Sequence, residues 1–429
     1  MDTVPRWAGS RPSGGRPPSS SAGSRSKVGP ADGATPASHV DGRVATSPLV
    51  GRTARASEIW RELRFPVAVY GVSRLLLLVL GVVDSVLQHW SLGSELSNWD
   101  GIWYLALARH GYPTHVSHLQ TTLGFFPLYP MTMWLVAHVL FLPMLESGLV
   151  VSAIGGLVAT VLVQRLAARW WGDAAARRVV VLLCAFPGSV VFSMVYSEGL
   201  LLPLVAGCLL ALGSRRWLLA GALAGAATAI GPDAVAVVLA CAVASFVEIR
   251  RHGWRDRSAL RSLVAPALAP VGIVSVGAFF WAWTGTPFAN FDAQRYGWGE
   301  RTTPFALARE VRTLSQEISL SHFDYHLVNL NYIVGLAGAV FLLYALVLLA
   351  KQRRAITPEA IAWTLGIAFL SLTSQYTPPN PRLLITAFPV VAVVAFKATG
   401  RRFTLLVAVN TALLVLLSAV TYVGIALRP

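Results

Sequence analysis

The chain has 429 residues, is 55% hydrophobic and only 13% charged, and carries a formal net charge of +15. A soluble domain holds about a quarter charged residues, so this composition excludes an ordinary soluble enzyme and predicts a polytopic helical membrane protein. The excess charge is arginine, which membrane proteins gather on cytoplasmic loops, and no basic stripe with interleaved aromatics marks a nucleic-acid binder.

Residues 1–57 are rich in Ser, Gly, Pro, Ala and Arg and have no hydrophobic period. Such a segment cannot bury enough surface to offset its ordering entropy, so it reads as a disordered, basic cytoplasmic tail ahead of a membrane domain over 58–429. No apolar core closely follows its first arginines, which argues against a cleaved signal peptide. Eleven spans are predicted, at about Val67–Leu87, Gly148–Ala168, Val179–Tyr196, Gly199–Gly213, Trp217–Gly231, Asp233–Ile249, Leu263–Trp283, Leu327–Ala350, Pro358–Ser374, Leu383–Phe396 and Phe403–Leu427. Cys184, Cys208 and Cys241 fall inside apolar runs, so neither a disulfide framework nor a metal cluster is expected.

Charge sets the orientation. With the N-terminus inside and Phe125–Pro143 read as an interfacial or re-entrant helix, every clear basic cluster falls on one side: Arg169 with Arg177 and Arg178, Arg215 and Arg216, Arg250 through Arg261, Lys351 with Arg353 and Arg354, and Lys397 with Arg401 and Arg402. That arrangement needs a break at Gly231-Pro232. It places the 88–147 loop, Glu198, Asp233, the 284–326 loop and Gln375–Arg382 together on the extracytoplasmic side.

Four features there carry possible chemistry. Asp100 lies in an aromatic-rich stretch with Trp99, Tyr104 and His110; a carboxylate beside apolar surface suits a general base, and the same stretch also suits an interfacial loop anchored by its Trp and Tyr residues. Glu198 opens a span, where an acid either serves a buried site or caps the helix. Arg382 is a cation against the positive-inside trend, which fits a phosphate ligand, a loop carboxylate or snorkelling. In Thr284–Glu300 the mixture of Asp292, Arg295, Glu300 and aromatic rings suits a sugar or lipid headgroup, or a structured loop with an Asp292–Arg295 pair. His110, His115 and His118 lack supporting ligands for a metal, and no nucleotide loop or nucleophile elbow is present.

The segments WDGIWYLALARHGYP and GFFPLYP resemble the GPI mannosyltransferase 2 family and its bacterial relatives, integral-membrane glycosyltransferases of the GT-C fold. FPGSVVFSMVYSEGLLLP, TGTPFANFDAQRYGWG and PRLLITAFP follow in the family's order, and the likeness covers roughly Pro66 to the C-terminus. The resemblance implies a GT-C-type helical bundle and an inverting mannosyltransferase. The donor would be polyprenyl-phosphate-linked, the acceptor a lipid or glycan, and the membrane the bacterial plasma membrane or, in a eukaryote, that of the endoplasmic reticulum. It also implies that Asp100 is the catalytic acid residue of the first outside loop, beside Trp99. Arg382, with Arg295, would steady the leaving phosphate, and Glu198, Tyr104 and His110 would accompany the donor; no cofactor is implied. One departure stands out: where relatives carry Arg-Pro followed two residues later by Gly, this chain reads ATAIGPDAVAV, with Gly231 and Ala234 at those positions. Another prenyl-linked sugar, a transporter or flippase, and an inactive scaffold for another transferase are the competing readings.

Overall fold

The computed structural model describes residues 48–321, 329–375, 378–423 and 427–429. The tail expected over 1–57 falls mostly outside these residues, as do parts of the 284–326 loop and of Gln375–Arg382. Among the described residues there is no β-strand, only one isolated bridge between Thr302 and Ser374. The chain is an all-α polytopic membrane protein.

The helices used below are α1 (Pro48–Gln88), α2 (Leu92–Leu96), α3 (Asp100–His110), α4 (Leu128–Leu140), α5 (Met144–Trp171), α6 (Asp173–Ala185), α7 (Glu198–Gly213), α8 (Trp217–Thr228), α9 (Ala236–His252), α10 (Val271–Thr284), α11 (Ala306–Ser321), α12 (Leu330–Lys351), α13 (Pro358–Thr373), α14 (Pro381–Thr386), α15 (Pro389–Lys397) and α16 (Gly400–Tyr422). Among the described residues, six continuous helical segments are long and apolar enough to cross a bilayer, and a seventh arises if the bent pair of α6 and Pro187–Ser193 counts as one span. The expected eleven crossings therefore divide. Expected spans at Gly199–Gly213, Trp217–Gly231 and Pro358–Ser374 appear as apolar helices of 10–17 residues, and Leu383–Phe396 is split into α14 and α15. Periodicity sees apolar content but not where proline and glycine interrupt the backbone.

Two breaks matter for the site. Gly231 is extended ahead of the 3₁₀ turn Pro232–Val235, so α8 and α9 are separate, as the charge pattern requires. The second lies at Phe186-Pro187, where α6 bends by 73° into the 3₁₀ stretch Pro187–Ser193. A broken helix exposes backbone groups that hydrocarbon cannot satisfy. Ser73 Oγ of α1 donates to the Cys184 carbonyl at 2.6 Å, and Arg74 Nη2 donates to Ser189 Oγ at 2.9 Å. The intramembrane Arg74 thus serves the break.

α4 has 13 residues, about 20 Å of helix, which is short of a bilayer core, as α7, α8 and α13 also are. At the opposite ends of α5 and α7 several basic residues tie neighbouring helix ends together. Arg169 Nη1 donates to Ser214 Oγ (3.1 Å), Arg215 pairs with Glu248 (3.3 Å), and Arg178 Nε donates to the Ala395 carbonyl (3.3 Å).

Candidate functional site

α3, the start of α7 and α14 converge at one end of the bundle, and each presents a charge. α3 starts directly after Trp99, whose φ of +63° is strained for a side chain of that size; the indole Nε1 donates to the Thr421 carbonyl (3.3 Å), and Asn98 Nδ2 donates to the Tyr422 carbonyl (2.8 Å). These contacts turn the chain abruptly and leave Asp100 in the first helical turn, where the macrodipole favours a carboxylate. Trp99 is therefore a clamp on α16.

Arg382 is positioned by its neighbours in sequence. Asn380 caps α14 by accepting from Leu383 N–H (3.0 Å), and Pro381 occupies the first helical position, so Arg382 enters at the second. The FPGS break reaches the same place from below: a Cβ on Gly188 would overlap the Pro381 carbonyl, so only glycine lets the two backbones meet. Arg382 Nη1 donates to Asp100 Oδ2 in a short ion pair, and its Nε lies 3.3 Å from Glu198 Oε1, within ion-pair reach although outside hydrogen-bond geometry. The Asp100 side chain is 30% exposed and Arg382 19%, whereas Glu198 is only 7% exposed. One face of the cluster is open and the other sealed.

Burial works against the charge on Arg382, but Asp100, Glu198 and Tyr196 outweigh it and hold the guanidinium well above its ordinary pKa. Arg382 also lies over the Tyr196 ring, 5.5 Å from its centroid. Tyr196 Oη accepts from Asp100 N–H (3.2 Å), and desolvation, reinforced by the Asp100 carboxylate, raises its phenol far above the usual value, so it stays neutral. Asp233 is close enough for its charge to act on both Arg382 and Glu198. Its Oδ1 lies 2.7 Å from where a Cβ on Gly231 would stand.

The FFPLYP motif supports this cluster without joining it. Tyr129 hydroxyl shares a hydrogen bond with Ser152 Oγ (2.8 Å), and Ser152 Oγ donates to the Tyr196 carbonyl (3.0 Å). Tyr104, one turn beyond Asp100 on α3, is buried; it donates to Ser197 Oγ (2.8 Å) and packs edge-on against Phe125 and Tyr129. Its phenol is raised well above the ordinary range, by desolvation first and then by Asp100 and Glu198.

Asp100, Glu198, Arg382 and Tyr104 thus come together. His110 is exposed at the far end of α3, about 15 Å along the axis from Asp100. Arg295 is exposed over the Tyr296 ring (5.8 Å), and among the described residues no Asp292–Arg295 ion pair forms. No group of three His, Cys, Asp or Glu side chains among the described residues is arranged to hold a metal. Tyr196 and Asp233 join the cluster without having been named as site residues. Their signals were adjacency to Glu198 and the Gly-Pro break.

A cavity of about 820 Å³ opens farther along α3, lined almost wholly by apolar side chains from α3, α4 and α10 together with Ala229, and by none of the cluster residues. Leu107, two turns along α3 from Asp100, and Ala229, just before the Gly231 break, line it.

No family model matches the sequence, and no curated protein matches it. Among solved structures, the chain is similar to ArnT from Cupriavidus metallidurans bound to undecaprenyl phosphate, at 18% identity and a TM-score of 0.48, over 79% of this chain and 61% of that one. It is also similar to the apo oligosaccharyltransferase of Archaeoglobus fulgidus, at 14% identity and a TM-score of 0.47, over 85% of this chain and 56% of that one. The chain therefore spans less than two thirds of the length of either.

Proposed function

We propose that the chain is an inverting glycosyltransferase that moves a sugar, mannose by sequence resemblance, from a polyprenyl-phosphate carrier to a lipid or glycan acceptor on the extracytoplasmic face. The observation that carries this reading is the Arg382 guanidinium gripped by Asp100 and Glu198, with an apolar cavity of about 820 Å³ two turns farther along α3. A guanidinium suits a phosphate, and a mostly apolar pocket of this size suits a hydrocarbon chain. The family resemblance supports it independently through WDGIWYLALARHGYP and GFFPLYP.

In this mechanism Asp100 takes the proton of the acceptor hydroxyl. The hydroxyl oxygen bonds to the anomeric carbon as the bond from that carbon to the phosphate oxygen breaks, and the leaving prenyl phosphate keeps the electron pair. Attack from the opposite face inverts the centre. Arg382 stabilises the departing phosphate, and Glu198 keeps the guanidinium oriented while Asp100 changes protonation. Tyr196 holds the first turn of α3 through the Asp100 N–H. The basic residues at the far ends of α5 and α7 support a cytoplasmic assignment for those ends, and a bacterial plasma membrane is the compartment proposed. The domain limits at 1–57 and 58–429 belong to the same proposal.

The test is transfer by purified protein in nanodiscs, with defined prenyl-phosphate sugars and product mass spectrometry. Wild type is expected to form a glycosylated product, and Asp100→Asn to lose about 10²–10⁴-fold in turnover while remaining folded. Wild-type-like transfer by Asp100→Asn would remove that residue from the mechanism.

A further inference from the structure

Trp298, far from Asp100 in sequence, is placed with unusual care. Gln294–Trp298 form a single π-helical turn, an uncommon conformation that concentrates at functional sites. Gly297 lies against the chain at Leu119, where a Cβ would come within 2.9 Å of the carbonyl oxygen, and Gly299 takes a φ of +73°. Across the gap, a Cβ on Gly124 would stand 2.7 Å from the Trp298 ring. Gln294 Nε2 donates to the Gly124 carbonyl (2.7 Å) and Asn290 Nδ2 to the Leu123 carbonyl (2.8 Å), locking the second loop onto the first.

The indole held this way meets Trp103 edge-on, with centroids 5.4 Å apart, and Trp103 stacks on Phe125 at 6.3 Å and 14°. Trp103 follows Asp100 by three residues on α3, so the two share one helix face. Both indoles remain only partly buried. Both pack against the core around Tyr104 and Phe125 while leaving part of each ring open, a half-open aromatic wall one helical turn from a carboxylate. A pyranose ring offers an apolar C–H face to such a wall and hydroxyls to its polar rim, and indole combines a flat apolar body with a polar handle.

We propose that Trp298 and Trp103 form a sugar-ring subsite that seats a hexopyranose beside Asp100, with Trp298 its specificity-determining residue. This rests on the transferase reading for its meaning, but its test reads binding and stands apart from turnover. Affinities are measured in nanodiscs for prenyl-phosphate mannose, for prenyl phosphate without sugar, and for octyl mannoside as an acceptor mimic. If the ring belongs to the donor, Trp298→Ala reduces the preference for sugar-bearing over sugar-free carrier by about tenfold, with prenyl phosphate itself bound as before. If the ring belongs to the acceptor, the same variant loses octyl mannoside by a similar factor and leaves the carrier preference intact. Trp298→Phe, which retains a ring against Gly124, is expected to lose less in either arm, and it carries the test should the alanine variant fail to fold. The proposal is overturned if the folded variants match wild type for all three ligands, or if they lose prenyl phosphate as strongly as its mannosylated form, which would make the wall a lipid contact. Absence of transfer with sugar binding intact would count against the transferase reading alone.

Discussion

Two groups of acids lie at the start of α3 and just before it, and they are built differently. On one side Asp100 and Glu198 share Arg382. On the other, Asp84 of α1, Glu95 of α2 and Tyr422 of α16 are buried together, and Asp84 Oδ2, both Glu95 carboxylate oxygens and the Tyr422 hydroxyl have no hydrogen-bond partner. Burial, and then the Asp84 carboxylate, push the Glu95 carboxyl up to about 7. Arg382 supplies the first group with a counter-charge that reaches both carboxylates. In the second group no cation lies within ion-pair distance of Asp84 or Glu95 among the described residues.

The sharpest way to break this contrast is to remove the cation. Arg382→Ala leaves two carboxylates facing each other in a partly enclosed pocket; breaking a fully buried pair costs about 3–5 kcal/mol, and the exposure of Asp100 reduces that. A large drop in thermal stability in detergent and loss of transfer are expected. A variant that melted and worked like wild type would make the cluster incidental.

A smaller effect should come from moving Arg382 without changing any charge. Gly188→Ala forces the Pro381 backbone away, and a misplacement of about 1 Å can cost about 10²-fold in rate. Transfer should fall far more than protein yield does. Equal losses in both would mean that Gly188 serves folding alone.

The second acid group gives a pH signature. The Glu95 carboxyl has a raised pKa in the folded protein, so the native state binds its proton more tightly than the unfolded chain. Its contribution is fully present below about 4.5, is lost as pH rises towards about 7, and is flat above. Glu95→Gln should flatten that part of the melting-temperature profile and raise stability at pH 8; an unchanged slope would clear Glu95 of the effect. The smallest changes are expected from His110→Ala and Arg295→Ala. Both side chains are exposed and stand outside the Arg382 cluster, so stability shifts within about 0.5 kcal/mol are expected by thermal melts.

Much of this was legible from residue types. Apolar length predicted the membrane body, the arginine clusters predicted that basic loops share an end, and the Gly231-Pro232 break lies where charge counting required it. Asp100, Glu198 and Arg382 were visible as charges out of place. Their partnership was not: Asp100 and Arg382 are 282 positions apart, and residue chemistry favoured a phosphate for Arg382 over a loop carboxylate or snorkelling. Tyr196 read as part of a span end, and Asp233 as one more outside carboxylate.

The sequence by itself determined a helical membrane chain with its chemistry-bearing residues in the connections, because hydrophobic transfer and charge placement act on composition and spacing alone. Only the tertiary structure decided which charges compensate one another. Ion pairing, close backbone approach at Gly188 and the seating of Trp298 against Gly124 depend on distances of a few ångströms between remote segments, and those are set when the broken helices pack. It also decided that Asp100 has a cation beside it whereas Glu95, five residues earlier, has none.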